Sequence, residues 1–159
     1  MGQEIAELVK CLFSEDGIIR QKARYKLVKI GKPVITLLIG LQYLPDQHVR
    51  WEAMKTLSQI ADPDSIPILV NALENTNSDV RWLAADGLIE IGKESIASLM
   101  LALEERGDSR ILREGVHHVL KGLEDKGLYI DEYDIIGILE DAERLALLRP
   151  TAAKIRMRS

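Results

Sequence analysis

The chain has 159 residues, 47% hydrophobic and only 4% aromatic, with a formal net charge of −4. That length accommodates a sizeable core, and the acidic balance excludes a general attraction to nucleic acid or to an anionic membrane surface. Cys11 is the only cysteine, which excludes an intrachain disulfide and makes a reducing, cytoplasmic setting the expectation.

Paired helical patterns, termed A and B, then recur in chain order. The first A pattern is Ile5/Leu8/Val9/Leu12, a single apolar face on a 3.6-residue period. The residues before it lack the basic start of a secretory leader, and no apolar run here or later approaches membrane-spanning length. Asp16 follows as an expected N-cap, and the first B pattern is Ile19/Ala23/Leu27/Ile30, closed by Gly31. Unit two has A positions Val34/Leu37/Leu38/Leu41, cap Asp46 and B positions Val49/Ala53/Leu57/Ile60. Unit three has Ile66/Leu69/Val70/Leu73, cap Asn77, then Val80/Ala84/Leu88/Ile91 and Gly92. Unit four has Ile96/Leu99/Met100/Leu103, cap Asp108, then Ile111/Gly115/Val119 with Gly122 in the last place. The small residue inside each B pattern permits close helix crossing, toward the near end of roughly 8–10 Å.

The stretch Glu124–Asp131 reads as a surface insertion. Unit five is partial: an A pattern Ile135/Ile138/Leu139/Ala142 and the start of a B pattern at Leu148. Arg156 stands where earlier units carry a large apolar residue, as suits a terminal cap. The B patterns start at Ile19, Val49 and Val80, spacings of 30 and 31 residues, and a fixed period of that size signals stacked copies of one small unit. The expected units are 2–31, 32–61, 62–92, 93–123 and 131–159 in a single domain. The expected fold is all-α, a right-handed α–α superhelix (an α-solenoid) of about five helical hairpins. After Glu143 the chain has no acid and five bases, Arg144, Arg149, Lys154, Arg156 and Arg158, read as a solvated cationic last helix that suits the macrodipole.

The segments Asn77–Gly92 and Asp46–Ala61 carry the pattern Asp/Asn, two spacers, Val-Arg, then Ala, Leu and Ile at fixed offsets. This resembles the HEAT-like repeats named after phycobilisome lyases, and Ile66–Leu73 resembles the accompanying first helix. The resemblance covers nearly the whole chain and implies fold far better than function. It implies that B helices line the concave face. It also implies that the Arg after the first apolar B residue (Arg20, Arg50, Arg81, Arg149) bridges loops or acids of neighbouring units. Unit four has Leu112 at that place, which leaves its bridge open.

On that orientation the exposed strip comprises Gln21, Lys22, Tyr25 and Lys29, then Trp51, Glu52, Lys55 and Gln59. It continues with Trp82, Leu83, Asp86 and Glu90, then Arg113, Glu114, His117 and Lys121, and is extended by Lys154 and Arg158. The partner-binding candidates are Tyr25, Trp51, Glu52, Lys55, Trp82, Asp86, Arg113, His117 and Lys121. Both tryptophans fall on the strip, at equivalent positions of adjacent units, and tryptophan is a frequent interface anchor. Mixed charge around central aromatics points to a protein or peptide partner rather than a phosphate backbone.

Catalytic signals are lacking. Glu114, His117 and His118 form a Glu-x-x-His-His cluster, but a di-metal site needs a second such motif on a facing helix, and the only other histidine is His48. The family's hydroxylases carry His-Glu dipeptides, and this chain has none. Trp82 and Asp86 invite comparison with HEAT-like DNA glycosylases, whose cleft is broadly basic, unlike this acidic chain. No phosphate loop, nucleophile elbow or Cys-Cys metal spacing occurs. Cys11 reads as a partly buried inert thiol. The expectation is a non-enzymatic protein-binding scaffold with no cofactor or metal. A subunit of a lyase- or hydroxylase-like enzyme is the alternative, and a nucleic-acid binder the second.

Overall fold

The structure, a computed structural model, describes residues 2–158, all helix, turn and loop with no strand among them. Met1, and Ser159 at the end of the fifth expected unit, lie outside the described residues. The A helices are α1 (Gly2–Cys11), α3 (Ile35–Leu41), α5 (Ile66–Ala72) and α7 (Ile96–Arg106). The B helices are α2 (Gly17–Ile30), α4 (Gln47–Ile60), α6 (Ser78–Ile91) and α8 (Arg110–Asp125). The chain finishes with α9 (Ile135–Glu140) and α10 (Leu148–Arg156).

Each B helix starts at a side-chain cap. Asp16 accepts from the Ile18 amide at 2.7 Å, Asp46 from those of His48 and Val49 at 2.9 and 3.1 Å, and Asn77 from that of Asp79 at 2.8 Å. Each cap satisfies backbone donors that the first helical turn leaves orphaned. Helices α2, α4 and α6 then stop on positive-φ residues: Gly31 at φ 71°, Ala61 at φ 51° and Gly92 at φ 91°. Ala61 does with a Cβ what its glycine counterparts do without one. One 3-10 turn then leads into α3, α5 and α7, at Lys32–Val34, Pro63–Ser65 and Lys93–Ser95.

Packing makes these hairpins a solenoid. Helices α2, α4, α6 and α8 stack in that order as one wall, and α1, α3, α5 and α7 back them. One apolar cluster runs from Ile5 to Ile155 and includes Ala23, Ala53 and Ala84, the small residues of the B patterns. In the A row, Leu37 is 49% exposed and its neighbour Ile35 takes the inward place, because α3, like α5 and α7, starts directly after its 3-10 turn, which makes Ile35 the counterpart of Ile66 and Ile96.

Unit four is displaced by one residue from the sequence reading. Ser109, not Asp108, is the cap, accepting from the Leu112 amide at 3.2 Å. Ile111 is 43% exposed, and Leu112, Val116, Leu120 and Leu123 are the buried counterparts of Val80, Ala84, Leu88 and Ile91. Both Ile111 and Leu112 fit an apolar pattern. The register is decided by α7, which runs 11 residues against 7 in α3 and α5 and shifts the following turn.

The stretch after α8 is not a plain surface insertion. Glu124 and Asp125 belong to α8, Leu128 packs on the core and Tyr129 is buried. The Asp131 carboxylate accepts from the Ile135 and Ile136 amides at 2.8 and 2.9 Å and from the Tyr129 hydroxyl at 3.1 Å. It thereby starts α9 and anchors the buried ring. Burial and the Asp131 charge push the Tyr129 phenol far above the ordinary tyrosine range.

The final pair crosses over. Helix α9 contacts the B helix α8, whereas α10 packs on the A helix α7. The α10 helix therefore does not continue the B wall. The chain's late bases are spent on this crossing. Arg149 donates to Asp108 at 2.6 Å, Arg144 pairs with Asp134 at 2.7 Å, and Arg156 grips Glu104 of α7 at 2.5 and 3.1 Å. Hydrogen bonding to Arg156 holds the Glu104 carboxyl below the usual carboxylate range.

Candidate binding surface on the B-helix wall

The recurrent arginine builds the wall. Its guanidinium folds back onto the two carbonyls preceding its own helix. Arg50 donates to the Leu44 and Pro45 oxygens at 2.6 and 2.8 Å, and Arg81 to those of Asn75 and Thr76 at 2.8 and 3.3 Å. Arg20 does the same at Ser14 and Glu15, at 2.7 and 3.0 Å. Unit four follows through Arg113, which donates to Gly107 and Asp108 at 2.8 and 2.9 Å. Arg113 is thus a loop clamp rather than a free surface group. Arg50, Arg81 and Arg113 clamp the loops of their own units, and of the expected bridges to neighbouring units only those of Arg20 to Glu52 and Arg149 to Asp108 are made.

Three other sequence candidates are also engaged elsewhere. Glu52 is only 4% exposed. Its carboxylate accepts from the Arg20 Nε at 3.1 Å and from the Arg24 guanidinium, forming a buried triad between α2 and α4. Arg24 is 5% exposed, and its Nε lacks a hydrogen-bond partner. His117 Nε2 sits 2.7 Å from the Glu140 carboxylate, in a cleft of about 530 Å³ between α8 and the C-terminal segment. Lys121 donates to Glu124 at 2.7 Å on its own helix, and that hydrogen bond is the main reason its ammonium titrates above the usual lysine range. Lys154 and Arg158 lie over the Tyr133 ring, at 4.6 and 5.5 Å, away from the strip they were expected to extend.

The remaining candidates stand on the wall. Trp82 is 55% exposed, and its ring meets that of His118 edge-on, with centroids 4.6 Å apart and planes at 87°. That geometry suits the aromatic quadrupole. Beside them lies a shallow cleft of about 110 Å³ on the α6–α8 groove, floored by Leu73, Ala85 and Gly115 and flanked by Arg81 and Glu114. A Cβ at Gly115 would stand 3.2 Å from Leu73, so the glycine lets α8 settle against the end of α5. Trp51 is partly buried against the core, and Lys55 Nζ lies 4.6 Å over its ring. Tyr25 is 52% exposed, with its hydroxyl accepting from Gln21 at 3.4 Å. Asp86 is exposed on α6.

His118 was missed as a site residue. With unit four counted from Ser109, it holds the place of Tyr25, Lys55 and Asp86, and Glu114 holds that of Trp51 and Trp82. Among the described residues, no group of three or more His, Cys, Asp or Glu is placed to hold a metal ion, and no helix is long and apolar enough to cross a membrane.

Comparison with known proteins fits this architecture. The family model described as HEAT repeats matches residues 35–121, more than half of the chain. The bilin biosynthesis protein RpcF of Synechococcus sp. (strain WH8020) is 37% identical over 54 residues, which are 34% of this chain and 26% of that protein. The chain thus matches about a quarter of the relative's length. The solved complex of CpcE and CpcF of phycocyanin lyase from Nostoc sp. PCC7120 contains a chain with TM-score 0.63 at 20% identity, covering 94% of this chain and 99% of that one. Stacked hairpins, recurrent caps, arginine clamps and the matched repeat model lead to one assignment: the chain belongs to the HEAT-repeat family.

Proposed function

We propose that the protein is a non-enzymatic binding module that holds a polypeptide against the wall formed by α2, α4, α6 and α8. The observation that carries this reading is the Trp82–His118 ledge. A large aromatic side chain stays 55% exposed beside a cleft floored by Leu73, Ala85 and Gly115, although the neighbouring joints bury aliphatics fully. Such an arrangement supplies a pocket and an anchor, the two parts of an interface hot spot. Trp51 stands at the same place one repeat earlier, and Tyr25 extends the aromatic line. The single Cys11 supports a reducing, cytoplasmic setting.

The experiment is capture of partners from the native host by the wild type and by a Trp51→Ala/Trp82→Ala variant. A photo-crosslinking residue at position 86 maps which peptide lies on the wall. The expected result is loss of capture in the variant with helicity and melting temperature nearly unchanged. Retained capture, or capture without any crosslink from position 86, would sink the reading.

A second reading is favoured by one observation, the 37% identity to a bilin biosynthesis protein over 54 residues. The module would then act as one subunit of a lyase-type assembly, with the chromophore-handling groups on another chain. Purified protein mixed with a bilin-bearing subunit would show a shifted bilin absorbance band. An unchanged band across a titration would dispose of that reading.

A further inference from the structure

The charges of the B helices are not evenly mixed; their balance is sorted by repeat. Across α2 and α4 the exposed or half-exposed ions include Lys22, Lys26, Lys29 and Lys55, with Arg20 and Arg50 beside them. The one acid there, Glu52, is buried and already shared by two guanidiniums, so that triad carries a surplus positive charge. Across α6 and α8 the sign reverses to Asp86, Glu90 and Glu114. Asp86 has no partner among the described residues. Glu90 reaches Lys126 at 2.6 Å, and Glu114 reaches Arg110 at 2.8 Å, both as exposed pairs of the kind that water screens to little net energy. Clamping to loop carbonyls leaves the charges of Arg50, Arg81 and Arg113 in place, yet the division holds by formal charge: α2 and α4 carry seven cations against the single acid Glu52, whereas α6 and α8 carry six acids against the four cations Arg81, Arg110, Arg113 and Lys121. Trp51 and Trp82 stand on the two helices where the sign changes.

We infer that the wall takes a polypeptide segment of block charge, with its acidic residues over α2 and α4, an apolar side chain at the Trp51–Trp82 junction, and its basic residues over α6 and α8. This deepens the proposed function and rests on the same wall. Sorted charge of this kind fixes the direction in which a segment lies and rejects segments laid the other way. It also disfavours a nucleic acid, because a polyanion following the wall would leave attraction at α4 and meet repulsion at Asp86. Four helices at about 8–10 Å spacing span about 30 Å, the reach of roughly nine extended residues at about 3.3 Å each.

The test is fluorescence anisotropy at low salt with labelled peptides of roughly a dozen residues. Two carry a glutamate block, a central leucine pair and a lysine block, in the two opposite orders along the chain. A third has the same composition with the charges alternating, and a thymidine oligonucleotide of similar length forms the nucleic-acid arm. One block peptide should bind at least about tenfold tighter than the alternating one, a difference of about 1.4 kcal/mol. Lys29→Glu/Lys55→Glu should remove that preference with the fold intact by circular dichroism. Equal binding of block and alternating peptides, tighter binding of the oligonucleotide, or no peptide binding would overturn the inference. Charge-blind binding that still disappears in Trp51→Ala/Trp82→Ala would remove the polarity while leaving the proposed function standing. Charge-blind binding indifferent to the tryptophans would remove both.

Discussion

The α2–α4 joint and the α4–α6 joint occupy the same place in successive repeats, yet they are built by opposite means. In the first, α4 sends Glu52 into a buried triad with Arg20 and Arg24 of α2. In the second, the equivalent residue of α6 is Leu83, packed on the core, and one turn later Gly87 lies against the backbone of α4. A Cβ on Gly87 would come within 2.9 Å of the Ser58 Cα. One joint therefore depends on charge compensation in a dry place, the other on the absence of side-chain volume. A repeat fold constrains the geometry of its joints more tightly than their chemistry.

The strongest way to break this comparison is at the charged joint. Glu52→Ala leaves the Arg24 guanidinium buried without its carboxylate, a loss of about 3–5 kcal/mol, read as a fall in the urea midpoint. A double change to apolar residues, Glu52→Leu with Arg24→Met, should recover most of that loss, because well-packed apolar groups often replace buried ions at little cost. If Glu52→Ala unfolds no more easily than wild type, the triad is ornamental and the contrast collapses.

At the close-packed joint, Gly87→Ala sets a helix-propensity gain of about 1 kcal/mol against overpacking of about 1–3 kcal/mol. Because the obstructing atom is backbone, overpacking should win by about 1 kcal/mol in chemical denaturation. A stabilised Gly87→Ala would show that α4 and α6 have slack between them.

A smaller effect sharpens the comparison at the hairpin ends. Ala61→Gly relieves a left-handed Cβ that costs about 1–2 kcal/mol, partly offset by the greater freedom of glycine in the unfolded chain. A net gain of about 0.5 kcal/mol should appear as a modest rise in melting temperature. The same substitution principle predicts loss at Gly31 and Gly92, where φ is 71° and 91°.

The least effect is expected at the crossed C-terminal pair, which is half-buried. Glu104 has its folded pKa below its unfolded value, with Arg156 as the cause. Its contribution is therefore complete above the unfolded carboxylate value of about 4.3 and disappears as pH falls through the lower folded value. Arg156→Gln should flatten the stability profile in that acid window and leave it unchanged at neutral pH apart from a constant offset. An identical acid limb in wild type and variant would show that the pair does not act.

Much of the architecture was legible because it is local and repeated. Caps at Asp16, Asp46 and Asn77, stops at Gly31 and Gly92, and apolar spacing in α5 and α7 each follow from nearest-neighbour backbone chemistry. Trp82 was placed on the strip by register together with the orientation that the family resemblance implied; Trp51, at the same register, is partly buried against the core, so register alone does not set exposure. Unit four was misread where Ile111 and Leu112 both satisfy the periodicity and Asp108 and Ser109 both can cap. That ambiguity moved the strip by one residue, placing Arg113 and His117 on it and leaving His118 off. Glu52 was misread for a different reason: a lone carboxylate on a helix looks solvated until the facing helix supplies two arginines.

By itself the sequence determined a stack of α-hairpins and the wall on which its tryptophans stand, because period, caps and breakers act within a few residues of one another. Only the tertiary structure decided which charges on that wall are free, because pairing there depends on groups 28 to 36 residues apart, as at Arg24–Glu52 and Lys126–Glu90. It also decided that the last helix crosses to α7 instead of continuing the wall. That choice is made by packing against α7 and by the Asp131 cap that redirects α9, neither of which leaves a periodic trace in the chain.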